Sequence, residues 1–417
     1  MYEEKILVIA VKKPNQLEDY FESSLEELVS LADTAGGKVV TVVTQNRDRL
    51  HPAYYIGEGK MAEIKDTIEE NEIDLVISND ELSAGQSRNL SEFFERRVID
   101  RSQLILDIFA ARARTKEGKL QVELAQLQYM LPRLHGQGTQ LSRLGAGIGT
   151  RGPGETKLET DQRHIRRRID DIKRRLQQVV KQREQYRKRR KTNEVFQIAI
   201  VGYTNAGKST IFNRLTDSDS LEENKLFATL DPLTRKIQLP SGFQSLLTDT
   251  VGFLQQLPTS LIASFRSTLE EVKEADFILH VVDGSHPDNE QHQDTVLKLL
   301  DELNSSSIPM LTVYNKKDLI KEDLIPMSRP YIVISALLED DLNRLLHKIE
   351  EEIIINWESF LINLGADEGQ LLNRFEHETI LKEKVYEESS ETYKVSGYIR
   401  PDHPLQGIVK EKSSKHD

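Results

Sequence analysis

The chain has 417 residues, of which 38% are hydrophobic and 30% are charged, and this length predicts two to four domains with their own cores. It contains no cysteine, which excludes disulfides, thiolate catalysis and cysteine-based zinc sites, and its ten histidines lack the spacing of metal ligands. No apolar run reaches about 18 residues, and the first residues enter a strand without a signal-peptide pattern, so we expect a cytoplasmic protein with no transmembrane segment.

Charge is unevenly distributed along the chain. The net charge is −12, yet residues 161–191 contain 14 lysines and arginines against 4 aspartates and glutamates, a local charge of +10. Such segregation predicts that one element binds a polyanion while the acidic remainder favours solubility.

Residues 1–112 predict a small parallel α/β domain. Short β-branched runs alternate with longer stretches of helical spacing. The predicted strands are Ile6–Val11, Val39–Thr44 and Leu75–Ser78, and the predicted helices between them are Leu17–Ala32 and Lys60–Glu70. A βαβαβ order is typical of a parallel sheet covered by helices.

Residues 113–193 predict a long antiparallel helical hairpin. Two apolar stripes, each with spacings of 4, 3, 4 and 3 residues, flank a linker. They are Leu120, Leu124, Leu127, Leu131 and Leu134, then Ile165, Ile169, Ile172, Leu176 and Val179. Pro132 is expected to end or kink the first helix near Leu131. The second helix, from Glu155 to Lys191, would extend about 55 Å.

The linker at residues 136–154 contains seven glycines, together with Arg143 and Arg151. A helical hairpin needs only about two to eight linking residues. Backbone N–H groups that no side chain shields can approach phosphates and base edges closely. We therefore favour a tip loop that becomes ordered on a partner over a plain tether.

Residues 202–210 read Gly-Tyr-Thr-Asn-Ala-Gly-Lys-Ser-Thr and follow an apolar, β-branched run at 195–201. This is the P-loop pattern between a strand and a helix. Gly202 and Gly207 permit the sharp turn that directs backbone N–H groups at phosphates, and the helix N-terminus adds a positive dipole end. Lys208 would reach the β- and γ-phosphates, and the Ser209 hydroxyl would ligate Mg²⁺.

Two further motifs concern the γ-phosphate. In Asp249-Thr-Val-Gly-Phe253, Asp249 would hold the Mg²⁺ shell through water and the Gly252 N–H would contact the γ-phosphate. The segment Phe227–Pro232 contains Thr229, the candidate switch ligand for Mg²⁺ and the γ-phosphate.

Two more motifs predict guanine recognition. In Asn315-Lys-Lys-Asp318, the Asp318 carboxylate can accept from guanine N1–H and the exocyclic amine together, a pairing that adenine cannot offer. Ser335-Ala-Leu337 would present backbone N–H groups to guanine O6. Five motifs in the order and spacing of GTPases predict an enzyme that hydrolyses GTP to GDP and phosphate.

The hydrolytic arrangement differs from that of Ras-like enzymes, which carry a water-orienting glutamine after the motif glycine. Phe253 occupies that position and cannot orient water, so slow intrinsic turnover and stimulation by a partner are expected. Asn205 has two interpretations that the sequence leaves open. Either its side-chain oxygen helps to ligate K⁺ near the phosphates, or it only stabilises the turn.

The motifs together define a predicted GTP and GDP site with Mg²⁺. The catalytic residues are Lys208, Thr229, Gly252 and Asn205, and the Mg²⁺ ligands are Ser209, Thr229 and, through water, Asp249. The predicted nucleotide contacts are Gly202, Tyr203, Thr204, Asn205, Ala206, Gly207, Lys208, Ser209, Thr210, Phe227, Ala228, Thr229, Leu230, Asp231, Asp249, Thr250, Val251, Gly252, Asn315, Lys316, Lys317, Asp318, Ser335, Ala336 and Leu337.

The predicted fold class is α/β, with a parallel α/β domain and its hairpin followed by a Ras-like P-loop domain at residues 194–360. In that domain, Ile353–Leu364 is expected to complete the last helix. Residues 361–417 predict a small α+β domain, with a helix at Leu371–Lys384 and strands at Tyr393–Ile399 and Gly407–Val409.

These residues resemble the HflX family of translation-factor-class GTPases over nearly the whole chain. The most specific stretch is Gly152-Pro-Gly-Glu-Thr-Lys-Leu-Glu-Thr-Asp161, which is similar to the family signature G-P-G-E-T-x-L-E-x-D. Leu141-Ser-Arg-Leu144 and Phe227-Ala-Thr-Leu-Asp231 also look like family features. The resemblance implies GTP hydrolysis with Mg²⁺, binding to the 50S ribosomal subunit and its 23S rRNA, and splitting of 70S ribosomes under stress.

Two other classes of function compete with this one. An ATP-dependent RNA- or ribosome-remodelling enzyme would need a second nucleotide site in the N-terminal domain, where Gly57–Lys60 is the candidate and is better interpreted as a tight turn. A membrane-surface switch would use the basic helix. The apolar seam at Ile165–Val179 is narrow and lacks Trp and Phe, so membrane association is at most peripheral.

Overall fold

The computed structural model describes residues 3–134, 157–192, 195–216, 227, 232–254, 271–320 and 324–413. The chain divides into two compact units, of which the first contains residues 1–182 and two short later segments. The predicted tip loop at 136–154 lies outside the described residues, as do residues 152–156 of the 152–161 signature. Among the described residues, no helix is both long and apolar enough to cross a membrane.

The first unit begins with a parallel sheet of four strands in the order β2-β1-β3-β4. The strands are β1 (Lys5–Lys12), β2 (Lys38–Asn46), β3 (Leu75–Ser78) and β4 (Arg97–Asp100). The helices are α1 (Glu18–Thr34), α2 (Glu58–Asn71), α3 (Ala84–Phe94) and α4 (Arg101–Arg112). The parallel α/β prediction is confirmed. The strand β4 was not predicted, because only Val98 and Ile99 of its four residues are apolar.

A buried polar network lies at the carboxyl end of this sheet. Arg101 is 2% exposed, forms an ion pair with Glu27 and donates to the Asn79 side-chain oxygen at 3.2 Å. Asp100 accepts from the Leu82 N–H at 2.9 Å. Because buried charges are costly without partners, Arg101 and Glu27 depend on each other, and Asp100 depends on its own hydrogen bonds.

The helical pair consists of α5 (Lys116–Leu134) and α6 (Lys157–Thr192). A single apolar seam joins them, and it contains Leu120, Leu124, Leu127, Leu131, Ile165, Ile169, Ile172 and Leu176. Beside the seam, the Arg168 guanidinium donates to both carboxylate oxygens of Glu123, at 2.7 and 2.8 Å. With 36 residues, α6 is about 54 Å long.

The helix α5 continues through Pro132 to Leu134, three residues beyond the predicted end near Leu131. The reason lies in Arg133, whose guanidinium donates to the Tyr129 carbonyl at 2.9 Å and to the Asp100 carboxylate at 3.0 Å. It also donates to the Leu82 carbonyl at 2.7 Å. These bonds anchor the last turn to the α/β domain and offset the hydrogen bond that proline removes.

The second unit contains a six-stranded sheet in the order β10-β9-β8-β5-β7-β6, in which only β6 is antiparallel to its neighbour. The strands are β5 (Phe196–Gly202), β6 (Leu233–Gln238), β7 (Gln244–Asp249), β8 (Phe277–Asp283), β9 (Met310–Asn315) and β10 (Tyr331–Val333). The helices are α7 (Lys208–Thr216), α8 (Asn289–Glu302) and α9 (Glu339–Ile354). The carboxyl ends of the parallel strands meet at one edge, where open α/β sheets bind ligands.

The α+β character predicted for the C-terminal residues is confirmed, but two of their elements and the end of the preceding domain differ from the prediction. The elements are β11 (Glu358–Gly365), α10 (Gly369–Glu378), β12 (Ile380–Glu387), β13 (Thr392–Ile399) and α11 (Leu405–Ser413), with the antiparallel sheet order β11-β13-β12. The stretch Ile353–Leu364 is not a continuous helix, because α9 ends at Ile354 and β11 follows. In β11 the buried residues Phe360, Ile362 and Leu364 alternate with more exposed ones, the period of a strand.

The other two errors have local causes. The predicted helix Leu371–Lys384 ends at Glu378, because Thr379 has an extended backbone (φ −133°, ψ 161°) and its hydroxyl donates to the Phe375 carbonyl. The predicted strand Gly407–Val409 lies inside α11. Three residues are too few to separate helical from strand periodicity.

Candidate functional site

The loop between β5 and α7 turns at its two glycines. Gly202 has a φ of 153°, and a Cβ there would lie 2.1 Å from the Val281 carbonyl oxygen. Gly207 has a φ of 93°, and a Cβ there would lie 2.1 Å from Asn315 Nδ2. Asn205 has a φ of 60°, in the left-handed region that asparagine tolerates better than most residues. The strand, turn and helix that the P-loop pattern requires are all present.

Lys208 is buried in this loop. The residue is 6% exposed, and its Nζ donates to the Tyr203 carbonyl oxygen at 2.7 Å. Burial lowers the pKa of Lys208 to about 8, while the Asp249 carboxylate opposes that shift. A desolvated ammonium gains strongly from an added anion, so this position favours phosphate.

His280 lies on β8 and is 1% exposed, and neither ring nitrogen has a hydrogen-bond partner among the described residues. Burial, with a further contribution from Lys208, lowers the pKa of His280 to about 4. The imidazole is therefore neutral at pH 7 and adds no positive charge beside the lysine.

The end of β7 places two oxygen groups beside the P-loop. The Ser209 hydroxyl donates to Asp249 Oδ2 at 2.9 Å, and Asp249 is fully buried. Hydroxyl and carboxylate oxygens are the hard donors that Mg²⁺ prefers. Within the described residues no cluster of three or more His, Asp or Glu forms a separate metal site. A Mg²⁺ ion here would rely on these two groups, water and phosphate oxygens.

The residues after Asp249 close against the P-loop. A Cβ on Gly252 would lie 2.7 Å from Thr204 Cγ2 and 3.1 Å from Lys208 Nζ. The backbone of Phe253 donates to the Gly202 carbonyl at 3.2 Å and accepts from the Thr204 N–H at 2.9 Å. The Phe253 ring is 2% exposed within an apolar cluster. It therefore packs in the core and has no polar atom to orient water.

The base-recognition motifs meet at the neighbouring strand ends. Asn315 Nδ2 donates to the Ala206 carbonyl at 3.0 Å, and Asn315 Oδ1 accepts from the Ala336 N–H at 2.9 Å. The Ser335 hydroxyl donates to Asp318 Oδ1 at 2.5 Å. The structure thus brings the P-loop, the Asn315–Asp318 motif and the Ser335–Leu337 motif into one hydrogen-bonded group.

Two acidic residues that the motifs do not contain support this group. Asp341 accepts from the Ser335 N–H at 2.9 Å, and Asp283 forms a 2.6 Å ion pair with Lys316. Burial opposes ionisation of Asp283, but hydrogen bonds from Lys316 and Ser285 outweigh it and lower its pKa. The position of Asp283 directly at the end of an apolar strand was the signal that could have identified it.

The side chains of three predicted nucleotide-contact residues lie in surroundings that the sequence analysis did not predict. Tyr203 stacks on His292, with ring centroids 3.8 Å apart and an interplanar angle of 9°. Phe227 is 2% exposed, and its ring centroid lies 4.4 Å from that of Phe109. Leu337 is 65% exposed. Ala228, Thr229, Leu230 and Asp231 lie outside the described residues, so their roles stay predictions.

Three family models match the chain in succession. The model described as "GTP-binding GTPase N-terminal" matches residues 22–110, "GTP-binding GTPase Middle Region" matches residues 112–190, and "50S ribosome-binding GTPase" matches residues 197–316.

Curated relatives match over most of their length. The chain is 54% identical over 402 residues to a GTPase HflX from Alkalihalophilus pseudofirmus, which covers 96% of this chain and 95% of the relative. It is 42% identical over 379 residues to the GTPase HflX of Escherichia coli, which covers 89% of each chain. Among solved structures, a crystal structure of a GTP-binding protein from Sulfolobus solfataricus in complex with GDP is similar to this chain. The alignment covers 84% of this chain and 98% of that protein's chain, at 24% identity and a TM-score of 0.46.

Proposed function

This chain belongs to the HflX family of GTPases, and on that premise we propose that it binds the large ribosomal subunit and splits 70S ribosomes under stress. Family membership and the P-loop domain make the enzyme a GTPase, which forms GDP and phosphate. Its nucleotide state controls the docking of the basic α6 and the tip loop on 23S rRNA in the cytoplasm.

The observation that carries the proposal is the exposed basic face of α6. Within residues 160–182 all eight lysines and arginines are exposed, against three aspartates. The isoleucines of the same helix are directed into the seam with α5. Helix pairing therefore uses the apolar stripe and leaves the cations on the surface, where they can contact the phosphates of a folded RNA.

We assign the nucleotide contacts from the geometry of the strand ends. Lys208 and the P-loop N–H groups bind the phosphates, and Asp318 with Ser335 and Ala336 recognises guanine. Ser209 and, through water, Asp249 hold Mg²⁺ with the switch residue Thr229. When bound, Mg²⁺ neutralises charge that develops on the phosphates. P-loop GTPases generally use this ion.

Hydrolysis in this site does not use a glutamine after Gly252, because Phe253 is packed in the core. We propose slow intrinsic turnover that a ribosomal partner accelerates. Asn205 stays a proposed K⁺ ligand, and its left-handed backbone equally fits the turn-stabilising role. Turnover that is equal in KCl and NaCl would overturn the K⁺ assignment.

The test is sedimentation with 50S subunits and 70S ribosomes in sucrose gradients, with GDP or a non-hydrolysable GTP analogue, at several salt concentrations. We expect binding and splitting with the GTP analogue, and a steep loss of binding as salt rises. The variant Arg163→Gln/Arg167→Gln/Arg174→Gln should bind more weakly and with a shallower salt slope.

The matched control neutralises three exposed lysines elsewhere, in Lys298→Gln/Lys382→Gln/Lys394→Gln. This control should sediment like the unmodified protein. Equal binding by both triple variants would contradict the proposal. So would co-sedimentation that is the same with GDP as with the GTP analogue.

A second nucleotide site in the N-terminal domain receives no support from the geometry of Gly57–Lys60. The Gly57 N–H donates to the Gln45 side chain at 2.9 Å, and Lys60 forms a 2.7 Å ion pair with Glu63. Both groups are thus engaged within the fold at the start of α2. ATPase activity that survives Lys208→Ala would favour the ATP-dependent alternative.

A further inference from the structure

A cavity of about 290 Å³ lies between the six-stranded sheet and the C-terminal residues of the second unit. Its lining residues include Trp357, Arg374, Arg400, His377 and His403. Ser245 of β7 also lines it. All of its lining residues belong to the described part of the chain, and none is assigned to the GTP site.

The cavity and the P-loop lie at opposite ends of β5. Phe196, the first residue of β5, lines the cavity, and Gly202, the last, begins the P-loop. Six residue steps along a strand separate the two ends by about 20 Å. A ligand in the cavity therefore cannot contact the nucleotide that Lys208 binds.

Cations outnumber carboxylates among the residues that line the cavity. The charged lining residues are Lys236, Arg374 and Arg400 against one carboxylate, Glu378, although the whole chain carries −12. Arg374 forms a 2.9 Å ion pair with Glu378, and Arg400 one of 2.8 Å with Asp402. Guanidinium groups at a partly enclosed site favour a phosphate or carboxylate.

The imidazole of His403 adds a polar group without adding charge. Burial lowers its pKa, which the nearby Glu378 opposes. Its Nδ1 accepts from the Leu405 N–H at 3.3 Å, so the proton is on Nε2, which lies 3.6 Å from Glu378.

The wall also contains a buried hydroxyl and an aromatic ring. Ser245 is 1% exposed, and its hydroxyl has no hydrogen-bond partner among the described residues. Buried hydroxyl groups are almost always paired, with protein, water or ligand. On the aromatic side, Trp357 packs edge-on against Phe196 and Phe243, with centroids 5.8 and 5.4 Å apart. The indole is thereby held in a fixed orientation.

We propose that this cavity binds one nucleotide unit, with its base against Trp357 and its phosphate at Arg374 and Arg400. An aromatic wall accepts any base, because every base has a π-face, and the guanidinium groups supply the phosphate contact. The unit comes either from a free mononucleotide or from single-stranded RNA. The inference does not depend on ribosome splitting, because the site is tested in the purified protein.

The test uses the fluorescence of Trp357, the only tryptophan of the chain. The full-length protein is loaded with one equivalent of GDP and with Mg²⁺, so that its GTP site is filled and no free GDP competes for the cavity. It is then titrated with AMP, hexaadenylate or inorganic phosphate. We expect a saturable change in emission with AMP. Hexaadenylate that binds at least tenfold more tightly than AMP identifies RNA as the source, and weaker or equal binding identifies the free nucleotide.

Two variants separate binding from folding. Arg374→Gln should weaken the affinity for AMP or hexaadenylate at least tenfold, and Ser245→Ala should weaken it about threefold without lowering the Tm of the ligand-free protein. The control Lys348→Gln removes a cation of α9 that does not line the cavity and should bind as the unmodified protein does. All variants should keep the basal GTP hydrolysis.

Three outcomes would overturn the proposal. One is the absence of a saturable response to both AMP and hexaadenylate. Another is an equal response to inorganic phosphate alone, which would make the site a simple anion site. The third is equal affinity for AMP in Arg374→Gln and Lys348→Gln.

Discussion

The side-chain amide of Asn315 donates a 3.0 Å hydrogen bond to the carbonyl oxygen of Ala206, and thereby ties the loop after β9 directly to the P-loop. The same side chain accepts from the Ala336 N–H at 2.9 Å. One buried amide therefore holds the phosphate-binding and base-binding segments in a common frame. Gly207 must lack a side chain for this contact to form.

We expect Asn315→Ala to weaken GDP binding and to lower the free energy of unfolding by about 2–4 kcal/mol, because two buried backbone groups lose their partners. The control Lys317→Ala lies in the same motif, where the side chain is 49% exposed, and should cost less than about 1 kcal/mol. Denaturant unfolding and GDP titration measure both quantities. Equal losses in the two variants would show that the Asn315 bonds contribute little.

Asp318→Asn should change the preferred base from guanine to xanthine. Asp318 already accepts from the Ser335 hydroxyl at 2.5 Å, which orients its carboxylate. An amide in its place offers a donor where xanthine presents a carbonyl oxygen. Competition between GDP and XDP measures the change, and retained preference for GDP would refute the assignment of Asp318 to the base.

Nucleotide affinity should fall as the pH rises above about 8. Burial sets the pKa of Lys208 to about 8 in the ligand-free protein, below its ordinary value of 10.5. Phosphate favours the protonated form, so GDP binding at pH 9 should take up a proton, which calorimetry in two buffers detects. Lys208→Ala should abolish hydrolysis and remove the proton uptake. Uptake that persists in this variant would assign it to another group.

The same shift predicts how pH affects the stability of the ligand-free protein. The folded-state pKa of Lys208 is lowered, so between about pH 8 and 10.5 the unfolded chain binds more protons than the folded one. The contribution of Lys208 to the free energy of unfolding therefore rises with pH across that window. The free energies of unfolding of the unmodified protein and of Lys208→Met, measured at pH 7.5 and 10, give this contribution. An equal change with pH in the two proteins would contradict the lowered pKa of Lys208.

Ile172→Ala should destabilise the helical pair by about 2–4 kcal/mol, because Ile172 is fully buried in the seam and its truncation leaves a cavity. Ile165→Ala is the matched control, since Ile165 is only partly buried in the same seam. Thermal unfolding measures both, and intrinsic GTP hydrolysis should be unchanged in each. A larger loss of thermal stability in Ile165→Ala than in Ile172→Ala would show that the buried residues of the seam are assigned incorrectly.

Arg101→Met should cost about 3–5 kcal/mol, because it leaves the buried carboxylate of Glu27 without its cation. The double variant Arg101→Met/Glu27→Leu should recover much of that loss, since no buried charge remains. Chemical denaturation of the unmodified protein, Arg101→Met, Glu27→Leu and the double variant completes the comparison. If the double variant loses the sum of both single effects, the pair does not interact as the structure indicates.

Local patterns predicted several elements of this protein correctly. The residues at 202–210 can be read as a P-loop because the phosphate chemistry demands particular residues at fixed spacing. The seam of α5 and α6 is recognisable in the sequence as two stripes, because contacts between two paired helices recur every 3.5 residues. By contrast, Ile353–Leu364 was assigned to a helix although its second half is a strand, because short apolar runs fit either periodicity.

The reaction class follows from short contiguous segments, since the chemistry of each GTPase motif depends on its own residues. Which distant residues support those motifs depends on the fold. Asp283 reaches Lys316 because β8 lies beside β9, and Asp341 reaches Ser335 from the first turn of α9. The cavity at Trp357 likewise depends on how the C-terminal residues pack against the start of β5. Strand order and packing bring such residues together, and no spacing along the chain encodes them.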